Sequence, residues 1–118
     1  MEQRNKTMSI GKARGHSETC EEQLRRMCKN IAEGITEGTE VGESAQEFME
    51  HVYNIEWICH QDKTYKAARL LVAGGGPNIW VNLQTDTVDG YWGGDKYSHG
   101  FVDNIGLEEI CEEIYNGY

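Results

Sequence analysis

The spacing of apolar residues divides the chain into stretches of helical period and stretches of strand period. Cys20, Leu24, Met27, Cys28, Ile31 and Ile35 fall at i, i+4, i+7, i+8, i+11 and i+15, which is one face of a helix. Glu21, Arg25, Arg26 and Lys29 take the other face. Thr19 followed by Glu22 has the form of a capping box, in which each side chain satisfies a free backbone N–H. Gly34 and Gly38 supply the stop. Residues 37–43 are rich in glycine and glutamate and read as a loop. Ser44 and Glu47 then repeat the capping signature, and Ala45, Phe48, Met49 and Val52 give a short second helix.

At Tyr53 the period changes to two. Tyr53, Ile55, Trp57 and Cys59 alternate with Asn54, Glu56 and His60, as in a half-buried strand. A polar turn leads to a second strand over 65–73, whose Leu70-Leu71-Val72 run predicts a central position covered on both faces. The run Gly74-Gly75-Gly76-Pro77 breaks the chain before a third strand, 78–84, with Ile79, Val81 and Leu83 on one face. Residues 85–87 turn into a fourth strand, 88–92. The stretch 93–100 is polar and glycine-containing and reads as a connection. A last helix starts near Asp103 or Asn104, its apolar face Leu107, Ile110, Cys111 and Ile114.

These elements predict an α+β fold in the order α-α-β-β-β-β-α. Two N-terminal helices precede a four-stranded antiparallel meander, and the C-terminal helix packs on the sheet. Residues 1–16 have no periodicity and read as a flexible basic arm ahead of a single α+β domain over 17–118. The second methionine, Met8, allows a start further in.

Composition narrows the class. A chain of 118 residues can bury a core without disulfides or metal. No stretch reaches the roughly 18 apolar residues of a membrane helix, and the polar N-terminus lacks the apolar core of a secretory signal. A cytoplasmic location and no membrane partner are therefore expected. Cys20, Cys28, Cys59 and Cys111 form no C-x-x-C pair and read as small free apolar residues. A bridge between Cys59 and Cys111 stays open at this stage.

Charge changes the picture more. The chain carries 20 acidic and 11 basic residues, for a net −9. Residues 1–29 hold seven basic residues against four acidic, whereas 30–118 hold four against 16. The body therefore repels nucleic-acid phosphate and attracts basic surfaces. Plain solubility is the competing explanation.

Candidate chemistry is sparse. The Gly74–Pro77 stretch lacks the helix start and the lysine or serine of a phosphate loop, because the strand-like Asn78-Ile79-Trp80-Val81 follows. It reads as a turn. His16, His51, His60 and His99 show no metal-ligand spacing, and Cys59-His60 would point to opposite faces of a strand. No catalytic residue, metal or cofactor is predicted. A cysteine-dependent enzyme using Cys59 or His60 has little support.

Two concentrations remain. Glu108, Glu109, Glu112 and Glu113 form a negative ridge on the last helix, with Asp86, Asp89, Asp95 and Asp103 in the segments before it. Such a surface offers a basic protein something like nucleic-acid phosphate, with affinity that falls with salt. Trp80, Tyr91, Trp92 and Tyr97 are the second concentration. Tyr91 and Trp92 are strand neighbours, so one faces away from the core of a one-sided sheet and anchors a partner, unless the N-terminal helices cover that face. The predicted partner-binding residues are Asp86, Asp89, Tyr91, Trp92, Asp95, Glu108, Glu109, Glu112 and Glu113.

The segment Gly75-Gly76-Pro77-Asn78-Ile79-Trp80-Val81-Asn82, with Gly90-Tyr91-Trp92-Gly93-Gly94-Asp95 and an acidic final helix, resembles small acidic mobile-element proteins of Gram-positive bacteria. Those proteins include type II-A anti-CRISPRs, inhibitors of the RNA-guided nuclease Cas9. The resemblance spans roughly residues 65–118 and brings no family binding residues with it. It implies a non-enzymatic inhibitor whose partner is a Cas9-type nuclease or its guide-RNA complex. An acidic domain suits the positively charged channels that hold guide and target. The alternative is an accessory or adaptor protein of a mobile element that binds another protein through the aromatic patch.

Overall fold

A computed structural model describes residues 18–38 and 44–117. The arm predicted for 1–16 and most of the loop at 37–43 lie outside the described residues. The elements are α1 (Cys20–Glu37), α2 (Ala45–Met49), β1 (Asn54–Cys59), β2 (Tyr65–Ala73), β3 (Asn78–Asn82), β4 (Thr87–Trp92), β5 (Asp95–Gly100) and α3 (Leu107–Asn116). The strands form one antiparallel meander in the order β1-β2-β3-β4-β5. α1 lies against β4 and β5, α3 lies against β2, and α2 touches α3.

Both capping boxes form. Thr19 Oγ1 accepts from the Glu22 amide while Glu22 accepts from the Thr19 amide, and Ser44 and Glu47 make the same exchange. The apolar stripe of α1 then buries Leu24, Cys28, Ala32 and Ile35. The sheet meets it with one set of alternate residues. Leu70 pairs with Val81, Val81 with Val88, and Ile79 with Gly90, and the four aliphatic side chains among them are fully buried. Gly90 is required by this contact, since a Cβ there would stand 2.5 Å from Cys28 Sγ and 2.7 Å from Leu24 Cδ1.

The α+β meander with a C-terminal helix on the sheet is as expected, but the details differ. The sheet has five strands, not four, because 95–100 forms β5. Its few apolar residues hid it. Main-chain pairing from Trp92↔Asp95 to Thr87↔Gly100 holds it instead, across a Gly93-Gly94 turn with Gly93 at φ +61°. The second N-terminal helix is only five residues long. The final helix begins at Leu107, later than Asp103, because Asp103 caps it from outside. Asp103 Oδ1 accepts from the Gly106 and Leu107 amides and Oδ2 from the Glu108 amide. Gly106 makes the link at φ +86°.

β2 is an interior strand as its apolar run predicts, but only one of its faces is covered. Leu70 is fully buried, whereas Leu71 alternates onto the side away from the helices and is half-buried.

Candidate partner-binding surfaces

The face of the sheet opposite the helices carries a continuous cross-strand row. Asn54 pairs with Leu71, Leu71 with Trp80, Trp80 with Asp89, and Asp89 with Ser98. A second row runs Glu56, Arg69, Asn82, Thr87, and a third places Asn78 beside Tyr91 and Tyr91 beside Lys96. Side chains tie the rows together. The Arg69 guanidinium lies 4.4 Å from the Trp80 ring centroid and bonds the Glu56 carboxylate at 2.5 Å. Lys96 Nζ lies 5.8 Å from the Tyr91 ring, and Ser98 donates to Asp89 at 2.8 Å. Trp, Tyr and Arg dominate binding energy at protein interfaces. This face presents one of each, stacked and held by the sheet.

Tyr91 and Trp92 separate as strand alternation requires. Tyr91 belongs to the open face, and Trp92 packs against the core on the helical side. Asp89 also lies on the open face, opposite Trp80. Asp86 is exposed in the β3–β4 turn at φ +55°, where its carbonyl accepts from the Phe101 amide. Asp95 is exposed at the start of β5. Glu109, Glu112 and Glu113 are exposed on α3, and Glu108 is half-buried. The predicted binding residues therefore divide between two opposite sides of the sheet. Trp80 joins Tyr91 and Asp89 from the aromatic concentration, and Leu71, Arg69 and Lys96 join them without having been predicted to. The signal for Trp80 was present, because it alternates with Ile79 and Val81 and so must face away from the core they form.

On the helical side, Glu109 and Glu113 border a shallow groove of about 270 Å³ with Ala45, Ile105 and Ile110. The ion pairs seen among the described residues are Arg25–Glu21, Arg26–Glu18 and Arg69–Glu56, so none neutralises an α3 carboxylate.

Glu108 differs from its neighbours. Burial holds its carboxyl above the ordinary range, the nearby Tyr65 hydroxyl eases the shift, and Asp103, Asp86 and Glu112 add repulsion. Tyr65 Oη is buried without a partner at full hydrogen-bond geometry. A carboxyl with a raised folded value binds its proton more tightly in the native state. Its contribution is therefore lost as pH rises from the unfolded value, about 4.3, through the folded one. Glu108→Gln is expected to be more stable than the wild-type chain at pH 7, with the advantage gone below about pH 4. Urea midpoints at the two pH values check this, and a less stable variant at pH 7 would count against the burial of Glu108.

The cysteines are free among the described residues, with Cys20 and Cys59 exposed and Cys28 and Cys111 buried. Burial pushes the Cys28 thiol up to about 11, with Asp89 adding repulsion, and the Cys111 thiol up to about 12, with Glu108 and Asp103 adding theirs. Neither supplies a thiolate at neutral pH. Among the described residues no three His, Cys, Asp or Glu side chains converge as metal ligands, and no helix is long and apolar enough to cross a membrane. Comparison with protein-family models, curated proteins and solved structures gave no match.

Proposed function

We propose that this chain is a non-enzymatic binding protein whose acidic, helical side docks on a basic protein surface. The observation that carries this reading is the segregation of charge. The described residues hold seven basic against 17 acidic side chains, while the cross-strand rows of the open face set Arg69 and Lys96 against Glu56 and Asp89. The whole acidic excess therefore belongs to the helices, turns and edges. There the exposed carboxylates of α3 stand without a described ion pair beside the groove that Ala45, Ile105 and Ile110 line. A Cas9-type nuclease or its guide-RNA complex is the partner in this reading, with guide or target binding blocked by occupation of a positively charged channel.

The test is binding to Cas9 with and without guide RNA. The complex is expected to weaken several-fold between about 0.05 and 0.3 M salt, because the contacts are between exposed charges. Replacing Glu109, Glu112 and Glu113 together by glutamine is expected to weaken it about tenfold at low salt. The fold should be retained, because all three side chains are exposed. No binding at low salt in either form of Cas9 removes this partner.

A second reading is favoured by the open sheet face. Trp80, Tyr91 and Leu71 there support an adaptor that holds a protein through aromatic contacts, with little dependence on salt.

A further inference from the structure

We infer that the open sheet face is where two copies of this chain meet, sheet against sheet, in a weak two-fold dimer. The inference rests on the second reading, that this face is a docking surface, and names its occupant. Two chains of net charge −9 repel one another, and an approach of α3 against α3 sets carboxylates against carboxylates. The open face is different, since the charged side chains of its cross-strand rows balance two against two.

The order of those charges is what selects a second copy over an unrelated neutral partner. Across the sheet they run Glu56 on β1, Arg69 on β2, uncharged Trp80 on β3, Asp89 on β4 and Lys96 on β5. A two-fold axis between the sheets and parallel to the strands seats β1 over β5, β2 over β4 and β3 over its own copy. Every charged strand then lies over one of opposite sign, and Trp80 lies over Trp80 near the axis. Arg69 and Asp89 occupy neighbouring rows, about 7 Å apart along the strands, which an arginine side chain can span. Glu56 and Lys96 lie two rows apart and are opposite in sign at the rim. Arg69, Glu56 and Asp89 are already partly satisfied within each copy, through Arg69–Glu56 and Ser98–Asp89, and Lys96 lies over the Tyr91 ring at the rim.

Size sets the strength. Five strands about 4.8 Å apart and about six residues long give a footprint of roughly 400 Å² per copy. That is about half the area each partner contributes to an interface of standard size. The dimer is therefore a reversible one, with Kd on the order of 100 µM. It leaves both acidic sides outward.

Sedimentation equilibrium from about 10 µM to 1 mM tests it. The mass is expected to rise from one chain toward two, and association should tighten with added salt, which screens the residual repulsion. Trp80→Ser and Tyr91→Ser should each weaken it at least about tenfold, with melting curves showing that both variants stay folded. Arg69→Asp and Asp89→Arg should each weaken it, and the double variant should recover most of the loss. A single-chain mass up to about 1 mM overturns the dimer, as does a dimer that both serine variants leave intact. If the chain stays monomeric while Trp80 is still needed to hold a different purified protein, the docking reading survives and the dimer does not.

Discussion

Replacing Gly90 with valine is expected to destabilise the chain by about 3 kcal/mol or more, with alanine costing about 1–3 kcal/mol. Gly90 sits on β4 beneath α1, and a Cβ there would come 2.5 Å from Cys28 Sγ and 2.7 and 3.1 Å from Leu24 Cδ1 and Cγ. Leu24 and Cys28 are both fully buried, so neither can swing into solvent. The helix must back away instead. Even a gap of about 0.5–1 Å forfeits a quarter to a half of each lost contact's attraction, and the loss would run the length of the α1–sheet seam. A domain of this size has only about 5–15 kcal/mol in hand, so the valine variant should melt about 10–20 °C lower. A melting temperature within about 3 °C of the wild-type value would mean that α1 does not rest on β4 in this way.

Asp103→Ala is expected to cost about 2–3 kcal/mol, with the damage concentrated at the start of α3. One carboxylate accepts three backbone N–H groups there, at 3.1 Å from Gly106, 2.9 Å from Leu107 and 2.9 Å from Glu108. Alanine leaves all three donors without that partner, at the positive end of the helix. Asp103→Asn keeps one acceptor oxygen and should cost about 1 kcal/mol. Amide exchange over 106–110, measured beside the thermal transition, separates this from a general loss of stability. Unchanged protection in the alanine variant would show that another group caps the helix. Because Leu107 and Cys111 are fully buried on this helix, a loosened start also loosens the platform that presents Glu109, Glu112 and Glu113.

Taken together, the two positions show how the acidic side is built. α3 is fixed at its first turn by a residue outside the helix, and α1 is fixed by a missing side chain in the sheet. Neither device depends on the carboxylates that face outward. Neutralising those carboxylates should therefore alter binding while leaving the fold in place, which keeps the functional test clean.

Much of the architecture is readable from residue spacing because local rules and tertiary burial agree. The 3.6-residue stripe from Cys20 to Ile35 and the two capping boxes define α1 and the start of α2 from neighbouring residues alone. The alternation at Ile55 and Trp57, and again at Ile79 and Val81, marks strands with one covered face. β5 escaped because its side chains bury little, so apolar period was the wrong signal, and the Gly93-Gly94 pair that closes its hairpin was the right one. α3 starts later than the expected Asp103 or Asn104 because the three bonds that Asp103 accepts reach forward over a glycine turn.

What the order of residues decided for this protein is its class, its polarity of charge and the strands' inward faces, since each follows from period, composition or alternation within a short window. What only the folded chain decided is which surfaces exist. Strand alternation requires Tyr91 and Trp92 to part, but it takes the packing of α1 on β4 and β5, and of α3 on β2, to send Trp92 inward and leave Tyr91 beside Lys96 and Asn78. It takes the register of five strands, which pairs residues up to 17 positions apart such as Asn54 and Leu71, to line up Leu71, Trp80, Asp89 and Ser98 in one row. Those long-range pairings leave no local trace. For that reason the acidity was legible along the chain, and the neutral aromatic face behind it was not.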